Sequence, residues 1–96
     1  LVHTLCAIMD EKRPDSLHVP HSSLVRYVED RPGHDFRYAI DSRKIEEELG
    51  FIPNTDFVSN LRGCVDWYLG SLEWCEDLLR NSDFREWIEI QYEHKY

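Results

Sequence analysis

Residues 24–40 read "LVRYVEDRPGHDFRYAI", and whether the two ends of that stretch pair decides the fold class. Val25, Tyr27 and Glu29 alternate with Arg26, Val28 and Asp30, which is the period of a short strand. "FRYAI", residues 36–40, suits a second strand, with residues 31–35 as the loop between them. In that loop Pro32 sets its own φ and pushes Arg31 toward extended geometry, while Gly33 permits positive φ or a close backbone approach. The N–H groups of Gly33 and His34 can then face an anion, and the Arg31 guanidinium offers a planar fork that matches a diphosphate. His34 donates from either ring nitrogen, depending on tautomer. A Pro-Gly pair between strands is also an ordinary turn, with Arg31 and Asp35 as a surface ion pair worth little. The residues alone leave turn and site both open.

The rest of the chain reads as helix. Leu1, Leu5, Ile8 and Met9 follow helical spacing with no capping residue ahead of them, so residues 1–11 read as the end of an amphipathic helix and the sequence is expected to start inside an element. "KRPDS" breaks that helix at Pro14. Asp41 can cap a helix from about Ser42 to Leu49, with Gly50 just beyond its end. Thr55 can cap a longer one whose stripe Phe57, Leu61, Val65, Tyr68 and Leu72 is expected in the core. Trp74 to Arg80 forms another short helix before the break "NSD", and Phe84, Trp87, Ile88 and Tyr92 suit a last one. The expected architecture is α+β: one mostly helical domain over residues 1–96 with one small sheet.

A hydrophobic fraction of 42% and three tryptophans in 96 residues argue against disorder. Residues 1–44 hold seven basic and seven acidic residues, and residues 45–96 hold four against twelve, so the whole net charge of −8 lies in the second half. Long-range attraction to nucleic acid is therefore disfavoured. A local anion site remains open between residues 26 and 44, where Arg26, Arg31, Arg37, Arg43 and Lys44 stand against four acids. Neither a signal-peptide pattern nor an apolar run near twenty residues occurs, so no membrane is expected as a partner and the expected setting is cytoplasmic. Cys6, Cys64 and Cys75 are scattered without a CxxC pair and read as buried thiols. His18 and His21 flank Pro20 and lack further ligands, so no metal site is expected.

"DRPGHDFRYAIDSRKIEEELGF", residues 30–51, then Pro53, then "FVSNLRGCVDWYL", residues 57–69, resemble the C-terminal region of dTDP-glucose 4,6-dehydratases, extended members of the short-chain dehydrogenase/reductase superfamily. That family's wording is close to D-R-P-G-H-D-x-R-Y-A-I-D, then K-I-x-x-E-L-G-W-x-P, then T-F-x-x-G-I-x-x-T-V-x-W-Y-L. "LVHTLCAIMDE", residues 1–11, is similar to the helix that precedes this region, so the resemblance covers roughly residues 1–75. Phe51 stands where tryptophan is usual, Asn60 where glycine is, and Gly63-Cys64 where Lys-Thr is. The acidic tail from Asn81 onward has no counterpart in that wording.

The resemblance implies the substrate-binding part of an α/β NAD-dependent sugar-nucleotide enzyme. Its members oxidise glucose C4 by hydride transfer to NAD, eliminate water across C5 and C6, and return the hydride to C6. Carried over by position, Asp30, Arg31, Pro32, Gly33 and His34 would contact a nucleotide sugar, dTDP-glucose or a related NDP-sugar. Neither a Gly-rich turn for a dinucleotide nor a Tyr-x-x-x-Lys pair occurs in the 96 residues. The expectation is thus a fragment inactive alone, with no cofactor of its own, whose NAD-binding Rossmann domain lies in a missing N-terminal part. Removing such a partner would leave apolar surface on residues 1–11 and around the strands, and so favour self-association. The alternatives are a free-standing nucleotide-sugar-binding module, or an acidic helical interaction domain whose loop is merely a turn.

Overall fold

Leu5, Ile8 and Met9 line one side of α1 (Val2–Lys12), which opens with the Leu5 N–H donating to the Leu1 carbonyl at 2.9 Å. The helix stops at Arg13 because Pro14 has no N–H to continue it. The computed structural model describes residues 1–93 of the chain. A 3₁₀ turn, His21–Leu24, folds back onto α1. It is tied there by the Asp10 carboxylate, which accepts from the His21 N–H at 2.8 Å and pairs with its Nδ1 at 2.5 Å.

Four more helices follow: α2 (Arg43–Leu49), α3 (Phe57–Gly70), α4 (Leu72–Arg80) and α5 (Ser82–Ile88), the last running into a π-helical turn, Glu89–Glu93. Gly50 ends α2 in the left-handed region at φ 64°, where its N–H reaches the Glu46 carbonyl at 3.0 Å. Asp56 rather than Thr55 caps α3, accepting from the Ser59 N–H at 3.1 Å. Ser42 is the N-cap position of α2, but the side chain that serves the helix start is that of Asp41, as expected: its carboxylate accepts from the Arg43 N–H at 3.1 Å and also clamps the Arg43 guanidinium. Asn81 caps α5 through the N–H groups of Asp83 and Phe84. The expected Tyr92 contribution to the last stripe and residues 94–96 of the tail lie outside what is described.

The packing runs in series. α1 lies on the 3₁₀ turn and on α3, α3 touches α4, and α4 touches α5. Among the described residues, Ile8 on α1, 2% exposed, and Val65 on α3, 5% exposed, are the buried apolar side chains. Two ion pairs tie the same helices, Lys12 with Asp66 and Arg62 with Glu11, the second bidentate at 2.5 and 3.0 Å.

The expected α+β class is not what forms: among the described residues there is no strand and no sheet, and the architecture is all-helical. Residues 25–42 are extended but unpaired, and no ladder hydrogen bonds join the flanks of the loop. Two causes act together. The Pro32-Gly33 turn has φ 73° at Gly33 and a closing bond from the His34 N–H to the Arg31 carbonyl at 3.3 Å, the signature of a type II turn. A type II turn splays its flanks, whereas hairpins favour the primed turns. A lone hairpin is in any case marginal in water without a third strand or a helix beneath it, and residues 26–41 are exposed throughout.

The expected core stripe is core only at its middle, since Leu61 is half-buried and Val65 buried while Phe57, Tyr68 and Leu72 stay exposed. Cys64 is also exposed rather than buried, because it lies about 100° round α3 from Val65. Cys6 and Cys75 are half-buried.

The dimensions reflect this thin core. The radius of gyration is 17.5 Å, against about 12.5 Å for a compact chain of this length. The accessible surface is 8989 Å², about 3,200 Å² above that of a compact monomer of 11.5 kDa. Ile8→Ala is expected to destabilise the fold by about 2–4 kcal/mol, a large share of what such a core can supply. The same change at exposed Ile52 should be near neutral, and urea unfolding of the two variants checks the contrast.

Candidate functional site

The loop at residues 30–34 is built by contacts within its own five residues. The Asp30 Oδ1 accepts from the Arg31 N–H at 2.8 Å and pairs with the His34 Nδ1 at 2.6 Å, across the turn that Pro32 and Gly33 make. Gly33 is needed there because other L-residues are strained at its φ of 73°. The side-chain contact of the loop is thus Asp30 with His34, not Arg31 with Asp35.

Arg31 is exposed, and among the described residues its guanidinium has neither a hydrogen bond nor an ion pair. Arg43, by contrast, is occupied by Asp41, with Nε at 3.0 Å from both oxygens and an Nη2 bond of 2.6 Å. Of the five basic residues between 26 and 44, the structure therefore leaves Arg31 available beside the turn and consumes Arg43. Chemically the loop presents a free planar cation, a left-handed glycine and an imidazole anchored by one nitrogen. That set can accept a phosphate-type anion. It holds no nucleophile paired with a base.

The His34 contact is the first cause that holds the Asp30 carboxyl below the usual carboxylate range, with the Arg31 N–H and the nearby positive charges adding to it. Sequence spacing alone did not reveal this i, i+4 pair, although Asp and His at that separation across a turn were there to be read.

A second feature lies beside the 3₁₀ turn. Val2, Leu5, Cys6, Met9, Leu24 and Val25 line an apolar groove of about 300 Å³ on α1. Beyond it the extended stretch leaves Tyr27, Phe36 and Ile40 almost wholly in water, at 91%, 105% and 91% exposure. These surfaces are where the sequence reading expected a partner to have been removed.

No family model matches the chain, and no solved structure matches it. Among curated proteins, a dTDP-glucose 4,6-dehydratase of Escherichia coli is 42% identical over 93 residues, 97% of this chain and 25% of the relative. The enzyme of the same name from Xanthomonas campestris pv. campestris is 43% identical over 82 residues, 85% of this chain and 23% of that one. The one from Neisseria meningitidis serogroup B is 40% identical over 84 residues, again 85% of this chain, and 24% of the relative. The chain spans about a quarter of the length of the curated relatives it matches. With 93 residues aligned, the likeness extends beyond residue 75 into the acidic tail that the motifs alone left unmatched. No helix of the described residues is long and apolar enough to cross a membrane.

Because the folded state lowers the Asp30 pKa, the contacts of that carboxylate are complete above the unfolded carboxylate value, about pH 4, and are lost as pH falls through the lowered folded value. The expected outcome is an Asp30 carboxyl carbon that titrates below the ordinary range by NMR. Its midpoint should move back up in His34→Ala.

Proposed function

We propose that this chain, homologous over nearly all its length to a segment of dTDP-glucose 4,6-dehydratases, is the nucleotide-sugar-binding part of such an enzyme and is inactive alone. The observation that carries the reading is the loop itself. The D-R-P-G-H block, residues 30–34, keeps Arg31 unpaired and exposed beside a turn that Asp30 and Gly33 hold in shape. In this reading Arg31, the Gly33 N–H and the His34 ring meet the diphosphate, the His34 N–H being held by the Arg31 carbonyl that closes the turn, while Asp30 and Pro32 complete the contact surface.

The reading assigns NAD, which takes and returns the hydride, to the rest of the enzyme. A dinucleotide needs a glycine-rich turn leading from a strand into a helix, and the described residues contain no strand to lead into one. The same division explains the thin core. Apolar surface in excess of a compact monomer, spread along the described chain from Leu1 to Ile90, fits a segment whose partner surface belongs to the missing part and not a free-standing module. An acidic interaction domain would not need Arg31 held free in a structured turn.

Two measurements test this. Titration of the labelled chain with dTDP should move the Gly33 and His34 amides with a Kd of about 1 mM, weak because half a site desolvates a diphosphate poorly. Arg31→Ala should abolish those shifts. Silence of these amides at millimolar dTDP in a folded chain would rule the loop out as a nucleotide contact. Sedimentation should find the isolated chain self-associating as concentration rises; a strictly monomeric species would count against the fragment reading.

A further inference from the structure

A carboxylate only accepts hydrogen bonds, so the ring nitrogen facing Asp30 Oδ1 at 2.6 Å is Nδ1 carrying its proton. That leaves Nε2 as the nitrogen open to any other partner. In the neutral ring, Nε2 presents a lone pair, which a phosphate oxygen cannot use. In the imidazolium it presents a donor, and the added charge also offsets the carboxylate that would otherwise repel an anion at this turn. The groups that could compete are few. The charged neighbours along the loop are Glu29, Arg31, Asp35 and Arg37, and every residue from 26 to 41 is exposed.

Building on the nucleotide-sugar reading above, we propose that Asp30 is a positioning residue that holds His34 by Nδ1, and that capture of the diphosphate is coupled to protonation of the His34 ring at Nε2. The atoms balance simply: one proton is taken from solvent as the anion docks, and no covalent bond changes. Asp30 then acts on diphosphate capture through His34.

The test uses the whole chain. Ring ¹⁵N spectra above the histidine titration should find the Nδ1–H tautomer in the wild type, its loss in Asp30→Ala, and its retention in Asp30→Asn, whose amide oxygen can still accept. dTDP affinity should fall about tenfold between pH 5.5 and 8 in the wild type, beyond the change that His34→Gln displays from the nucleotide's own phosphate ionisation. Asp30→Asn should keep the pH-dependent binding that Asp30→Ala loses, and a merely structural role would not produce that split. An Nε2–H tautomer in the wild type overturns the proposal. So does dTDP binding with the same pH profile in wild type and His34→Gln, which leaves the nucleotide-sugar reading standing. Absence of dTDP binding at every pH overturns both.

Discussion

Ile8 on α1 and Val65 on α3 are withdrawn from water where those two helices pack, and around them Lys12 meets Asp66 and Glu11 meets Arg62 across more than fifty residues of sequence. Everything else hangs on that joint. The 3₁₀ turn leans on α1 through Asp10 and His21, while α4 and α5 follow α3 in series, each touching the one before it. A structure held this way has one short cooperative centre and long, weakly supported arms. Its radius of 17.5 Å and its exposed aromatic residues are the direct result.

The loop at residues 30–34 is the exception to that dependence, because its geometry is closed by bonds of short reach. Asp30 accepts from its immediate neighbour and from a ring four residues away, and Gly33 supplies the one backbone angle the turn needs. Such a unit keeps its shape without packing against a core. It can therefore present Arg31 to solvent even where the surrounding chain is bare of partners.

Reading residues 24–40 as two paired strands failed for a reason visible in the same turn. Alternation of Val25, Tyr27 and Glu29 with Arg26, Val28 and Asp30 records a preference for extended backbone, and the backbone there is extended. Pairing demands a lateral neighbour and a turn of the right hand, and the Pro-Gly turn splays its flanks. The stripe on α3 is a parallel case: its spacing identified the face, but burial stopped at Leu61 and Val65 because α1 covers only that length.

What the sequence determined by itself is whatever its near neighbours enforce. Pro14 stops α1, Gly50 ends α2, Gly33 makes the turn, and the D-R-P-G-H block carries the likeness to the dehydratases. What the tertiary structure alone decided is which apolar residues are buried and that the extended flanks stay single. The division is physical. Caps and turns are settled by bonds spanning a few residues, whereas burial and strand pairing require surfaces that only distant segments can bring.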